Sequence, residues 1–257
     1  YTDAFDSATW LQSMRTRLET IHILMKPEGS LFLQLDEHQL DASKLLLDEV
    51  FGNDQFVNRI VVQARAPSSF STVNKGLFKS TEYILWFCKN KRRLTSHALR
   101  TPKAPDPAYR MWLVNPEDPP EEWRFDSLKK AHPNQDLDKI RIEQSARVCR
   151  LAPVSDTKAG QSTIRAKKQS MEDPSRVVVV HRDAHPPQYL LRGNQLVFYN
   201  KQVTFIDGKQ CASAPMTNLW TDISWEGIAN EGGVTYKTGK KPERLIRRCL
   251  SLCTCLL

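Results

Sequence analysis

Over its first ninety or so residues the chain switches between two hydrophobic periods, and no other feature constrains its fold so tightly. Leu11, Met14, Leu18, Ile21, Leu24 and Met25 recur at spacings of three and four, which predicts a helix with one apolar face. Asp6 or Ser7 can cap that helix, and Pro27 with Gly29 stops it. Ser30 to Leu35 is a short apolar run suited to a buried strand. Asp36, with Gln39 three residues on, resembles a capping box and opens a second helix through Leu40, Leu47, Val50 and Phe51. Gly52-Asn53 ends it, and Ile60-Val61-Val62 and Tyr83 to Phe87 read as two further strands. Strands alternating with helices predict an α/β fold whose sheet is mainly parallel and covered on both faces.

Between those last two strands lies Gln63 to Lys79, rich in Ser and Thr and without periodicity. Connections of that length in a compact domain tend to be functional or disordered. From about residue 92 to 218 the character changes. Prolines cluster at 102, 105, 107, 116, 119 and 120, and the helical period is lost. Leu128 to Arg150 is highly charged and is read as holding one helix, while Ala159 to Met171 is polar and basic. Val177 to Val180 reads as a strand. Leu190-Leu191-Arg192, a turn at Gly193-Asn194 and Gln195 to Tyr199 read as a hairpin, and a further strand runs to Asp207-Gly208. These residues are expected to form an inserted α+β unit. The α/β pattern then resumes. Pro242 suits the first turn of a helix, and Leu245, Ile246, Cys249, Leu250 and Cys253 supply its buried face.

The net charge of +8 and the pI of about 9.2 favour an acidic partner, commonly nucleic acid, although a solvated basic surface accounts for the charge as well. No apolar run approaches the roughly 20 residues needed to span a bilayer. Cysteines stand at 88, 149, 211, 249, 253 and 255 without any Cys-x-x-Cys pair, so zinc-ribbon spacing is absent. They read as small apolar residues in a reducing compartment. His181 and His185 bracket Arg182 and Asp183, but two histidines without further ligands do not make a metal site. No nucleophile elbow or placed carboxylate pair supports a hydrolase.

Five stretches, in order, resemble the amino-group DNA methyltransferases of the β circular order, above all the modification subunits of type III restriction systems. Tyr1-Thr2-Asp3-Ala4-Phe5 with Trp10-Leu11, Arg15 and Arg17-Leu18 resembles the stretch just after the catalytic tetrapeptide. Leu24-Met25-Lys26-Pro27-Glu28-Gly29-Ser30-Leu31-Phe32 then Asp36-Glu37-His38 is similar to the family's helix, turn, strand and acidic strand end. Asp48-Glu49-Val50-Phe51-Gly52-Asn53 and Glu82 to Asn90 resemble two further elements. Leu219-Trp220-Thr221-Asp222-Ile223 and Thr238-Gly239-Lys240-Lys241-Pro242-Glu243-Arg244-Leu245-Ile246 resemble the approach to the cofactor-binding strand.

The resemblance implies a partial Rossmann-like methyltransferase sheet carrying an inserted target-recognition domain. Its N-terminal part would be residues 1–91, the insertion 92–218, and the return to the sheet 219–257. It implies transfer of a methyl group from S-adenosylmethionine to the exocyclic amino group of adenine, with the base taken out of the duplex. Thr238, Gly239, Lys241 and Pro242 are the implied cofactor contacts. Arg65, Lys75, Lys79, Arg92 and Arg93 are the candidate contacts to duplex DNA, with Lys89 and Lys91 beside them. Arg165, Lys167, Lys168, Arg176, Arg182 and Arg192 could add phosphate or base-edge contacts from the insertion. A restriction subunit and a second modification subunit are the implied partners, and a bacterial or archaeal cytoplasm the implied compartment.

The family's Asp-Pro-Pro-Tyr tetrapeptide and its Gly-rich loop are expected to lie outside the chain. Tyr1 stands in mid-pattern, as if a longer protein had been cut. The chain alone is therefore expected not to methylate DNA. Asp118-Pro119-Pro120 is followed by Glu121, and His185-Pro186-Pro187-Gln188 lacks the acid, so neither replaces the tetrapeptide. Gly232-Gly233 precedes the last helix rather than joining a strand to it, which argues against a phosphate cradle. The competing readings are a noncatalytic DNA-binding remnant and an unrelated RNA-binding α/β protein.

Overall fold

A computed structural model describes residues 7–66, 76–183, 185–236 and 239–254. In chain order they form α1 (Ser7–Leu24), β1 (Ser30–Leu35), α2 (Glu37–Phe51), β2 (Phe56–Gln63) and β3 (Thr81–Cys88). Next come β4 (Arg100–Pro102), β5 (Met111–Leu113), β6 (Phe125–Ser127), α3 (Leu128–Ala131), α4 (Leu137–Glu143), β7 (Val148–Pro153) and α5 (Gln161–Glu172). The remaining elements are β8 (Val178–Arg182), β9 (His185–Leu191), β10 (Asn194–Phe198), β11 (Val203–Ile206), β12 (Lys209–Pro215), β13 (Leu219–Trp220) and α6 (Glu243–Cys253). The chain divides into two compact units, one of residues 1–99 with 216–257, the other of residues 100–215.

The first unit is built on a four-stranded sheet of order β1-β3-β2-β13. The mainly parallel sheet predicted from the alternation is corrected here. β1 and β2 run in the same direction but are not neighbours, because β3 lies between them antiparallel to both. Among the described strands only β13 pairs in parallel, with β2. The reason lies in the connections. A parallel neighbour requires a long crossover, usually a helix. α2 supplies one between β1 and β2, whereas the consecutive strands β2 and β3 pair as an antiparallel ribbon.

Both faces of that sheet are covered, as the nearly continuous apolar run of β3 requires. Leu35, Leu85 and Phe87 pack against α1 and α2 through Leu18, Leu40, Leu47 and Phe51. Ile60, Val62, Ile84 and Trp220 pack on the other face against Leu245 and Cys249 of α6. Asp36 caps α2 as expected, accepting from the backbone N–H groups of His38 and Gln39 at 3.0 and 3.4 Å.

Two expected apolar faces need correction. On α1, Leu18 is buried but Ile21 and Leu24 are 37% and 78% exposed. After Leu18 the seam passes through His22, whose ring meets Phe51 edge-on at 4.8 Å, and through Met25, so Ile21 and Leu24 turn outward. On α6, Leu245, Arg248 and Cys249 are buried, whereas Ile246 and Leu250 are about half exposed. Pro242 caps α6 instead of opening it, a one-residue difference.

The second unit holds a six-stranded sheet, β6-β5-β7-β10-β9-β8, and a three-stranded sheet, β11-β12-β4. The single helix read over Leu128 to Arg150 is instead two short helices and a strand, broken at Pro133 and at Asn134, whose φ is 63°. The hairpin turn falls at Arg192-Gly193, one residue earlier than read, with Leu191 opposite Asn194. Both turn residues have positive φ, 53° and 72°, which matches the right-handed twist of the flanking strands. Asp207-Gly208 makes the corresponding turn between β11 and β12, as its sequence predicts. α5 is the element the apolar pattern concealed. Its buried positions are Thr163, Ala166 and Ser170, which carry almost no hydrophobic signal.

Candidate functional site

β1 and β2 share a direction, so their carboxyl ends lie at one end of the first sheet, beside the amino end of β3. The registers fix this, with Leu35 opposite Tyr83 and Gln63 opposite Thr81. Open α/β sheets bind ligands beyond the carboxyl ends of their parallel strands. Several chemically capable side chains gather at this end.

Glu82, second residue of β3, is their centre. Its Oε2 accepts from Lys241 Nζ at 2.9 Å and from the Gln34 side-chain amide. Lys241 Nζ also lies 5.2 Å from the Trp225 ring centroid, close enough for a cation–π contact. Trp225 Nε1 is buried and has no hydrogen-bond partner among the described residues. Lys79 and Arg65 flank this end. Lys79 pairs with Glu37 at 3.2 Å, while Arg65 is exposed and its backbone N–H donates to Ser80 O at 3.1 Å.

Arg92 and Arg93 are at the other end. They come after the carboxyl end of β3, where Arg93 pairs with Glu28 ahead of β1. Much of this basic run is committed to structure. Lys89 Nζ donates to Met25 O and Ile23 O at the carboxyl end of α1, where a cation also meets the helix dipole. Lys91 Nζ donates to Phe56 O at 2.7 Å. The structure thus brings Arg65, Lys79 and Lys241 to one sheet end and puts Arg92 and Arg93 at the opposite one. Lys75 and Thr238 lie outside the described residues.

Lys241 also lines a cavity of about 490 Å3, together with Tyr236, Gly239, Lys240, Ile246 and Leu250. That volume suits a small-molecule ligand. Its walls are held by charge. Lys240 Nζ donates to three backbone carbonyls, those of Ala229, Glu231 and Val234, at 2.7 to 2.8 Å. The Glu231 carboxylate accepts the backbone N–H of Glu243 at 2.7 Å and satisfies a donor in the first turn of α6. Gly239 has a φ of 76°, a left-handed conformation that a side chain would strain. The two half-exposed residues of α6, Ile246 and Leu250, are the apolar part of this wall.

α6 is pinned to the sheet by Asp222. Arg248 donates to both its carboxylate oxygens, at 2.8 and 2.7 Å, and Arg244 adds a contact at 3.0 Å. The Arg248 hydrogen bonds hold the Asp222 carboxyl below the usual carboxylate range. Burial pushes the Cys249 thiol up to about 12 and raises that of Cys253 as well, which keeps both in the protonated, unreactive form. Among the described residues no group of three or more His, Cys, Asp and Glu could hold a metal ion. No described helix is long and apolar enough to cross a membrane.

Glu82, Gln34 and Trp225 were not foreseen as members of the site. Glu82 had a signal, since it is an acidic residue heading an otherwise apolar run in a strand buried on both faces. Gln34 and Trp225 had none that distinguishes them from other strand and loop residues.

A family described as DNA methylase matches residues 1–256. The chain is 30% identical over 301 aligned residues to the "Probable type III restriction-modification enzyme HindVI Mod subunit" of Haemophilus influenzae, covering 99% of this chain and 39% of that protein. It is 29% identical over 104 residues to the type II methyltransferase M.EcaI of Enterobacter cloacae, covering 40% of this chain and 23% of that protein. It is 30% identical over 82 residues to the type III restriction-modification enzyme StyLTI Mod subunit of Salmonella typhimurium, covering 32% and 12%. The chain thus spans well under half the length of each of these relatives.

Proposed function

Because the chain belongs to the DNA methylase family, we propose that it serves the site-specific transfer of a methyl group from S-adenosylmethionine to the exocyclic amino group of adenine in duplex DNA. The observation that carries this reading is Lys241, which stands between the cavity and the carboxylate of Glu82, at the sheet end where β1 and β2 have their carboxyl ends. In this reading the first unit is part of a Rossmann-like methyltransferase sheet, and residues 92–218 are the target-recognition insertion. The names of the type III relatives, each the Mod subunit of a restriction-modification enzyme, support action together with a restriction subunit as a further proposal, and a second modification subunit is proposed from the family resemblance alone.

The residues present fit the cofactor. S-adenosylmethionine is zwitterionic at its amino-acid end and heteroaromatic at the other. A lysine ammonium and an apolar wall of Ile246 and Leu250, all lining the cavity, match those needs. Gly239 and Lys241 line the cavity and would hold it, Pro242 next to them caps α6 without lining the cavity, and the cofactor bound there would supply the methyl group.

The chain's own groups have separable tasks. Lys241 provides positive charge whose position Glu82 fixes. Gln34 fixes Glu82 in turn. Gly239 permits the turn that brings Lys241 to the first residues of α6. Arg65 and Lys79 offer cations to phosphate at the same sheet end, and Lys79 must first leave Glu37.

Equilibrium dialysis of labelled S-adenosylmethionine against the chain tests the assignment. Saturable binding in the wild type and its loss in Lys241→Met, with unchanged circular dichroism, is the expected result. Equal binding by both proteins would remove Lys241 from the cofactor site.

A further inference from the structure

Six basic residues of the second unit are candidates for DNA contact, and their surroundings sort them. Lys167 Nζ is held by Asp156 at 2.8 Å and by Val154 O at 3.2 Å. The Arg182 guanidinium donates twice to Pro186 O, and Arg192 Nε donates to Pro174 O. Those three cations are spent on the fold, and the sixth, Arg176, lies beyond α5 beside Asp173. Arg165 and Lys168 are different. Both are exposed on α5, and among the described residues neither side chain has a hydrogen bond or an ion pair.

Their neighbours on the helix sharpen the contrast. Gln161, Arg165 and Gln169 succeed one another at intervals of four and so form a row along the exposed face. The row is about 12 Å long at 1.5 Å per residue. Ser162 and Lys168 flank it, and its side-chain amides and guanidinium have no partners among the described residues. Arginine and glutamine are the side chains whose paired groups match the base edges of guanine and adenine in a major groove about 12 Å wide.

The opposite face of α5 is clamped along its length. Thr163 Oγ1 donates to Gln188 Oε1 at 3.0 Å, and Ala166 packs with Val180 and Leu190. Ser170 Oγ accepts the backbone N–H of Gly193 at 3.0 Å. Gly193 lies so close that an added Cβ would stand 2.9 Å from Met171. A helix fixed this firmly by small residues on one side, with a solvent-exposed row of base-matching groups on the other, is built to present that row rigidly.

We propose that α5 is the base-reading helix of this protein, entering the major groove of duplex DNA with Gln161, Arg165 and Gln169 on base edges and Lys168 on phosphate. The proposal rests on the DNA-methylating reading above and adds to it the element that chooses the sequence.

The test is selection from a random-sequence duplex library by the wild-type chain, with affinities then measured across a salt series. The wild type is expected to enrich a motif. Gln161→Ala/Arg165→Ala/Gln169→Ala should lose that motif while still binding duplex DNA, with a slope of log affinity against log salt changed by no more than about one contact, 0.9. Arg165→Gln alone, a milder change, should alter the preferred base at one motif position. Lys201→Ala/Lys209→Ala removes two positive charges elsewhere in the unit and should leave the motif intact. An identical motif from the Gln161, Arg165 and Gln169 variants, or duplex binding by the wild type without any enrichment, would overturn the assignment of α5 and spare the methylase reading. No duplex binding by the wild type at any salt would overturn that underlying reading, and this proposal with it.

Discussion

Lys241 and Glu82, 159 positions apart, meet in an ion pair of 2.9 Å where β3 of the first sheet begins and β1 and β2 end. The pair is asymmetric. The Glu82 side chain is 19% exposed and that of Lys241 34%, and Lys241 keeps its contact with Trp225 when the carboxylate is removed. Lys241→Met should therefore cost more stability than Glu82→Gln. A loss of about 1–2 kcal/mol is expected for the first, after discounting for solvent at a half-buried pair. That corresponds to a fall in Tm of roughly 2–8 °C. Thermal unfolding of the two variants checks the order, and a larger loss in Glu82→Gln would contradict it.

The Asp222–Arg248 contact should give the protein an acid-sensitive stability. The Asp222 carboxyl titrates lower when folded than its unfolded value of about 3.9. A depressed carboxylate contributes stability that is fully present above the unfolded value and is lost as pH falls through the folded one. Urea unfolding between pH 7 and pH 2.5 should therefore show a decline below about pH 4 that is shallower in Asp222→Asn. At pH 7 that variant should be less stable by about 1–2 kcal/mol, because Asp222 itself is partly exposed. Parallel pH profiles for the two proteins would refute this role.

Cys249 should be chemically silent in the folded chain. With its thiol near 12, about one molecule in ten thousand is thiolate at pH 8. Against an ordinary thiol near 8.5, maleimide labelling should be slower by on the order of a thousandfold, and burial slows it further. Mass spectrometry of the peptide carrying Cys249, before and after denaturation, reads this directly. Rapid native labelling would mean that α6 is not packed on the sheet as described.

Arg65, Lys75 and Lys79 should report on duplex DNA through salt. Each phosphate contact contributes about −0.9 to the slope of log affinity against log salt. Changing the three together to Ala should make the slope shallower by up to about 2.7. The ion pair of Lys79 with Glu37 predicts that Lys79→Ala alone contributes less than Arg65→Ala. A slope unmoved by all three changes would take this sheet end out of the DNA surface.

The local elements were legible because local chemistry fixes them. Asp36 caps α2, Ser30–Leu35 is a strand, and Asp207-Gly208 turns a hairpin, each decided by a few adjacent residues. What the chain did not disclose depends on contacts distant in sequence. The antiparallel place of β3 comes from its pairing with both β1 and β2, and strand composition alone does not show that. α5 was hidden because Thr163, Ala166 and Ser170 make close contacts without hydrophobicity. The site was half legible. Lys241 stood in a motif, but its partners Glu82 and Gln34 join it only when β1, β3 and the start of α6 come together. Within the basic run at 89–93, read equally as a DNA contact or a solvated strand exit, Lys89 and Lys91 donate to backbone carbonyls and Arg93 pairs with Glu28.

The central claim is that the cavity beside Lys241 holds S-adenosylmethionine. Ultraviolet cross-linking of the methyl-labelled compound to the folded chain, followed by peptide mapping, measures this without requiring turnover. The account predicts label in the peptide that carries Tyr236, which lines the cavity, competed away by S-adenosylhomocysteine and abolished in Lys241→Met. Label confined to other peptides, or undiminished by the competitor and by that substitution, would contradict it.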